Sequence, residues 1–416
     1  MATKTFTRTT SRALTTTLVT ALAALGVVVP AATAAQQAKP VPSAEASKSA
    51  GSASSATSST SAKETLQQLV DAVQKTGTVG VLARSTGPRG VQYATAGVAD
   101  AETGRKARPG DKFRIGSATK TYVSTVLLQL VGEGRLSLDD TVEEWLPGVV
   151  SGNGNDGSGI TVRQLLNHTS GLFNYTADFP ALTGIAAYEA GRYTTWTDEE
   201  LVGIAMRHAP TFEPGANWSY SNTNYTLAGM IIKKVTGHTW QQEVTKRIVR
   251  PLALHNTSTP TTSSRIPGSH MKSYSAFLES APAIDTTAFN PSAAGAAGAM
   301  ISTTGDMTAF YQALMRGRLL KPAQMKEMKT TVAAPEVDAA WPGARYGLGL
   351  MEIPLTCGGS YYSHAGDLPG YATRTGATPD GRRVVVLEAT GDGSMPGSIY
   401  AASDLIDKQL CAGRTK

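Results

Sequence analysis

Arg114-Ile115-Gly116-Ser117-Ala118-Thr119-Lys120 leads into residues 122–131, a run of mostly Val and Leu broken by Ser124, Thr125 and Gln129. A helix that is apolar on nearly every side belongs in a protein interior. Ser117 and Lys120 are three apart, so on a helix they share one face. A helix starting near Ser117 sets its hydroxyl among unpaired backbone N–H groups at the positive end of the dipole. A partly desolvated lysine beside it has a lowered pKa and can take the serine's proton. A surface helix with a serine N-cap and a solvated lysine gives the same spacing, so the rest of the chain must decide.

Outward from this stretch, Leu66, Leu69, Val70 and Val73 fall at helical spacing within 64–75. Strands are expected over 79–83 and 91–98, joined through Gly87-Pro88-Arg89-Gly90. Downstream come a short helix over 141–146, a flexible glycine-rich loop over 152–159, a capped helix over 160–166, and helices over 197–207, 222–235 and 240–252. Residues 291–298 are almost all Ala and Gly, which suggests close backbone packing. Ser302-Thr303-Thr304-Gly305-Asp306 reads as a cap for a helix reaching Met315. Strands return at 346–353, 361–364, 371–377 and 383–389, with a hairpin turn at Asp380-Gly381 and a last helix over 399–410. The fold class expected is α+β. An antiparallel sheet drawn from both chain ends (about 63–108 and 292–412) is flanked by terminal helices, and a mainly helical lobe (about 109–291) is inserted between. Residues 413–416 form a tail.

The bulk numbers fit this. Of 416 residues, 41% are hydrophobic and 17% charged, an ordinary globular balance with ample chain for a large core. The start reads as a secretory signal over residues 1–34. Lys4, Arg8 and Arg12 precede an apolar segment over 13–29, and Ala32-Thr33-Ala34 offers a cleavage site. A membrane anchor is the alternative, but the segment is short for a span and lacks a basic stop. A secreted, extracellular protein follows. Removing the leader's three cations leaves +3 of the formal +6, too little and too scattered for nucleic acid. Residues 35–62, rich in Ala, Ser, Lys and Thr, read as a disordered linker. The two cysteines, Cys357 and Cys411, would form a disulfide in an oxidising compartment, with two unrelated thiols as the alternative.

Three more features bear on Ser117. Ser219-Tyr220-Ser221-Asn222 follows Pro214-Gly215 and precedes a helix. There the Tyr220 phenol can aim into a cleft and shuttle protons beside a lysine, and Asn222 can donate to a substrate carbonyl. An ordinary N-cap fits the same residues. His364-Ala365-Gly366 lies at a strand edge, where a lone histidine is more often structural or exposed. Third, Ser-x-x-Lys, Tyr-x-Asn and His-x-Gly follow one another across sheet, helical lobe and sheet, an order more specific than any of its parts. His208, His238, His255 and His270 show no metal-ligand spacing, and no Gly-x-Ser-x-Gly elbow is present. No metal and no cofactor are expected.

On Phe113-Arg114-Ile115-Gly116-Ser117-Ala118-Thr119-Lys120, Gln164-Leu165-Leu166-Asn167-His168-Thr169-Ser170-Gly171-Leu172, Tyr220-Ser221-Asn222-Thr223-Asn224-Tyr225, Tyr346-Gly347-Leu348-Gly349-Leu350 and His364-Ala365-Gly366, the chain resembles the penicillin-recognising serine hydrolases. Within them it looks like the secreted D-alanyl-D-alanine carboxypeptidases, the class C β-lactamases and the related esterases and D-amino-acid-specific peptidases and amidohydrolases. The resemblance runs from about Glu64 to Cys411, and the placement of Cys357 and Cys411 is similar to the carboxypeptidases' disulfide. It implies a β-lactamase/transpeptidase-like fold and acyl transfer through Ser117, with Lys120 and Tyr220 managing the proton and the choice of base left open. It also implies an oxyanion site between the N–H groups of Ser117 and Asp367, leaving-group protonation by Tyr220, and substrate binding by Asn222, His364, Ala365, Gly366 and Asp367. His168 reads as a structural loop residue.

The chain departs from the carboxypeptidases where they hold a terminal carboxylate. Ala365 and Asp367 stand at two Thr positions, and Met351 falls near an Arg position. A bare carboxylate there would repel a free C-terminus. It would favour neutral leaving groups, as in amides or esters of D-amino acids, or a free α-amino group near Asp367; Arg374 is the residue able to compensate. The expected partners are D-amino-acid-containing peptides, amides or esters, with peptidoglycan among the candidates and β-lactams as covalent inhibitors, and the protein is expected to be a monomer. The competing readings are a D-aminopeptidase, a carboxyl esterase or β-lactamase, and a penicillin-binding protein that acylates without turnover; intact Lys120 and Tyr220 speak against the last.

Overall fold

Val384-Val385-Val386-Leu387 has no polar face, which suits a strand covered on both sides. In the computed structural model, which describes residues 64–392 and 395–413, every residue of that strand is buried. The expected leader over 1–34, the linker over 35–62 and residues 414–416 of the tail lie outside the described residues.

The main sheet has nine strands: β1 (Gly80–Gly87), β2 (Gly90–Gly97), β3 (Val332–Ala333), β4 (Arg345–Tyr346), β5 (Met351–Pro354), β6 (Ser360–Ser363), β7 (Gly366–Leu368), β8 (Tyr371–Ala377) and β9 (Val384–Thr390). Their order is β2-β1-β9-β8-β6-β5-β4-β3, with β7 paired to β8, and every pairing is antiparallel. The first and last strands pair with each other inside the sheet, next to its β2 edge, so the sheet is built from both ends of the chain.

Helices α1 (Leu66–Gln74) and α6 (Pro396–Cys411) cover one sheet face, packing Leu69, Val73, Leu405 and Ile406 against Val81, Val385 and Leu387. Thr65 closes a capping box with Gln68 at the start of α1. On the other face, Leu82, Val384 and Val386 meet Met307, Phe310 and Leu314 of α4 (Thr304–Met315), whose N-terminus Thr303 caps. Successive β9 side chains thus serve opposite cores, each burial contributing roughly 1.5–3 kcal/mol. The helical lobe gathers around α2 (Thr119–Gly132) and α3 (Asn222–Thr236), both buried along most of their length. Cys357, in the turn after β5, is bonded to Cys411 at the end of α6.

Three local expectations change. Residues 152–159 are not an irregular loop: Ser151–Gly152 pairs with Asn155–Asp156, and a 3-10 turn follows. The strand expected over 346–353 is broken into β4 and β5 by a turn. Gly349 there has φ +71°, and a Cβ on it would lie 2.2 Å from Ser124 Oγ. Helices at Ile185–Gly191, Pro322–Lys329 and α5 (Pro335–Ala340) carry too weak an apolar period to read.

Candidate active site

A single 3-10 turn, Gly116–Ala118, delivers the chain into α2. It leaves Ser117 half-buried at the floor of a cleft and Lys120 fully buried one turn on. Lys120 Nζ has three partners: Ser117 Oγ at 3.0 Å, Asn222 Oδ1 at 2.7 Å and the Ala297 carbonyl at 2.8 Å. Lys120 makes no ion pair among the described residues, and burial drives its pKa well below the usual lysine range. Two partners are carbonyl oxygens, which can only accept. A neutral Nζ spends its two protons on them and turns its lone pair toward Ser117.

The Ala297 carbonyl belongs to the Ala/Gly stretch, which forms a short helix at Gly295–Gly298. Its small residues let the backbone close on α2 and α3, as expected. The Asn222 amide is set by its other end, since Asn174 Oδ1 and Thr176 Oγ1 lie 3.3 Å from Nδ2. The side chain read as a substrate donor therefore serves Lys120 first.

Tyr220 is buried and contributes to the cleft wall. Its hydroxyl makes no well-formed hydrogen bond. Burial pushes its pKa well above 10, and the neighbouring Ser117 hydroxyl offsets only part of that. The phenol is a proton donor at neutral pH, and Lys120 is the group poised to accept.

The opposite wall is β7. Gly116 has φ +48°, and a Cβ on it would come within 2.8 Å of Asp367 N; one on Gly366 would come within 1.9 Å of the Ile115 carbonyl. The two glycines let β7 lie directly against the Ser117 turn, bringing the Asp367 N–H beside the serine. The Asp367 carboxylate is not bare. Arg374 Nη2 donates to its Oδ1 at 2.8 Å, with 3% and 9% of the two side chains exposed. The charge expected to repel a C-terminus is matched within the protein. Desolvation raises the Asp367 pKa, and Arg374 opposes that rise.

His364 is buried with Ala365 and Gly366, and none of the three lines the cleft. Its Nδ1–H donates to the Ala365 carbonyl at 2.6 Å, so Nε2 accepts from the Tyr346 hydroxyl at 2.7 Å. Burial and the nearby Lys120 hold its pKa down at about 3. Met351 is buried in the β5 ladder and also lies off the cleft wall. The cleft, about 370 Å³, has an apolar side formed by Phe179, Leu182, Tyr188, Phe277 and Phe289. Among the described residues no His/Cys/Asp/Glu group could hold a metal ion, and no helix is long and apolar enough to cross a membrane.

Sequence reasoning missed Asn174, the Ala297 carbonyl and Glu336. Glu336 accepts from Ser219 Oγ at 2.8 Å and from Tyr220 N at 3.4 Å. Only the folded chain brings it to that loop.

A family model described as Beta-lactamase matches residues 64–407. Among solved structures the chain is similar to a D-stereospecific amidohydrolase from Streptomyces sp., with 44% identity and a TM-score of 0.75 over 81% of this chain and 97% of that one. It is also similar to the D-amino acid amidase of Ochrobactrum anthropi SV3 complexed with D-phenylalanine, with 27% identity and a TM-score of 0.72 over 83% and 96%. Penicillin-binding protein 4 of Amycolatopsis lactamdurans is 30% identical over 217 residues, 51% of this chain and 53% of the relative. The chain spans between 31% and 65% of the length of such curated relatives.

Proposed function

The chain belongs to the beta-lactamase family, and from that premise we propose that it is a serine hydrolase acting on amides and esters of D-amino acids through an acyl-enzyme on Ser117. The observation that carries this reading is Lys120 Nζ, tied to two carbonyl oxygens with its third direction on Ser117 Oγ. Lys120 takes the Ser117 proton as Oγ attacks the substrate carbonyl carbon. The oxyanion forms between the N–H groups of Ser117 and Asp367. Tyr220 gives its proton to the leaving nitrogen as the C–N bond breaks, and is reprotonated from Lys120. Water, or an added amine, then attacks the ester and frees Ser117.

The preference for neutral leaving groups is supported by the Asp367–Arg374 pair, which leaves neither charge free for a terminal carboxylate. Likeness to a D-stereospecific amidohydrolase and a D-amino acid amidase supports the D-amino acid. β-Lactams are expected to acylate Ser117. Export through the leader over residues 1–34 completes the reading and rests on the sequence alone. Hydrolysis of paired D- and L-amino acid amides and esters, beside a D-Ala-D-Ala peptide and with Ser117→Ala as control, tests it. D-amides should be cleaved in preference, with an acyl adduct on Ser117 by mass spectrometry. Efficient release of terminal D-Ala would overturn the leaving-group assignment.

A further inference from the structure

Tyr220 sits in a paradox. Its hydroxyl makes no well-formed hydrogen bond and has only the neighbouring Ser117 hydroxyl as a hydrogen-bonding neighbour, yet a proton donor must be placed to within a fraction of an ångström. Its position has to come from its backbone, and both flanks of that backbone are held by one residue. The His168 carbonyl accepts from Ser219 N at 3.1 Å, and His168 Nδ1 accepts from Ser221 N at 3.3 Å. Asn224 Nδ2 reaches the same nitrogen at 3.1 Å, and the Asn224 oxygen is taken by Ser170 Oγ at 2.6 Å. The His168 ring lies against the Tyr220 ring, centroids 4.3 Å apart.

Two costs accompany this arrangement. His168 is fully buried at φ +64°, a conformation non-glycine residues seldom adopt. Backbone N–H only donates, so Nδ1 carries no proton and Nε2 must; that Nε2–H is buried without a partner. An orphaned donor on a left-handed backbone beside a reactive group marks a site that function has shaped. The third anchor is Glu336 on α5, bonded to Ser219 Oγ and Tyr220 N.

We propose that His168 and Glu336 are positioning residues that brace Tyr220 for protonation of the leaving group. This rests on the role given to Tyr220 above. Burial and the neighbouring Lys120 hold the His168 pKa well below its ordinary value, so the ring stays neutral and Nδ1 stays an acceptor.

The test uses the full chain and two substrates sharing one D-acyl group. An amide needs a proton on its leaving nitrogen, whereas a p-nitrophenyl ester does not. His168→Asn retains an acceptor and tolerates the left-handed backbone but removes the ring. Glu336→Gln keeps the Ser219 bond and turns an NH2 toward the Tyr220 N–H. Each should lower amide kcat by roughly 10- to 100-fold and ester kcat by less than about threefold. In a Tyr220→Phe background neither should lower the amide rate further, because both act through the phenol. Equal losses on both substrates, or losses that add to Tyr220→Phe, would overturn the brace. A Tyr220→Phe enzyme with an unchanged amide-to-ester ratio would instead overturn the role of Tyr220 and remove the brace's purpose. Loss of amide turnover in Tyr220→Phe alone, with His168→Asn and Glu336→Gln unaffected, would overturn the brace and leave that role standing.

Discussion

Lys120 and Asp367 flank the same serine, and each keeps its charge in check by a different means. Lys120 is buried among neutral acceptors with no counter-ion among the described residues, so its charged form is the expensive one. Asp367 is buried against Arg374, so its charge has a partner that cannot deprotonate. The first arrangement makes a group that changes protonation state easily. The second makes a fixed feature of the wall. Under the mechanism proposed above, the base and the specificity element are held by opposite electrostatics within one cleft.

The most damaging way to break this contrast is Lys120→Arg, which keeps a cation and removes the base. Hydrolysis should fall by about 10³-fold or more, read by initial rates. Wild-type activity should rise with pH through a lysine pKa below 10.5, because the neutral amine is the active form. Stability carries the same sign. Between the lowered folded pKa and the unfolded value the unfolded chain binds more protons, so Lys120 penalises folding less as pH climbs.

The second test opens the ion pair from each side. Asp367→Asn leaves Arg374 charged and buried, and should cost about 3 kcal/mol in urea unfolding at pH 7. Arg374→Gln should cost less, because Asp367, whose pKa is already raised, can take up a proton. Equal costs would show that the pair is held by packing rather than charge. The smallest effect is expected at Lys408, whose ion pair with Glu64 joins α6 to the chain just ahead of the Thr65 cap of α1, with both side chains over 40% exposed. Glu64→Gln should change stability by less than about 1 kcal/mol in the same assay.

Much of the cleft was legible because its chemistry sits on short-range spacing. Ser117 and Lys120 are one helical turn apart, and Tyr220 and Asn222 straddle a helix start. The sheet from both ends was legible too, since continuous apolar runs such as Val384 to Leu387 survive without knowledge of their partners. What could not be read depends on backbone or on register. The Ala297 carbonyl carries no side-chain signature. The Arg374–Asp367 pair requires knowing that β7 and β8 fold back with Gly366 opposite Thr373. Only the family resemblance made His364 a cleft residue; by itself a lone histidine at a strand edge reads as structural or exposed, and the fold buries it beside Tyr346.

The seam between β1 and β9 has a consequence in time. It joins Gly80 to Thr390, residues 310 apart in the chain. Loop-closure entropy makes such contacts slow to form, while helices such as α2 and α3 can take shape from near neighbours. Ser117 and Lys120 share one such helix start, whereas Asn222 and the Ala297 carbonyl meet Lys120 across 102 and 177 residues. The β7 wall waits on β8, and β8 is an unsupported edge until β9 arrives. A chain still missing its last strand therefore lacks the support of the β7 wall, and the cleft is complete only once the two ends of the chain have met.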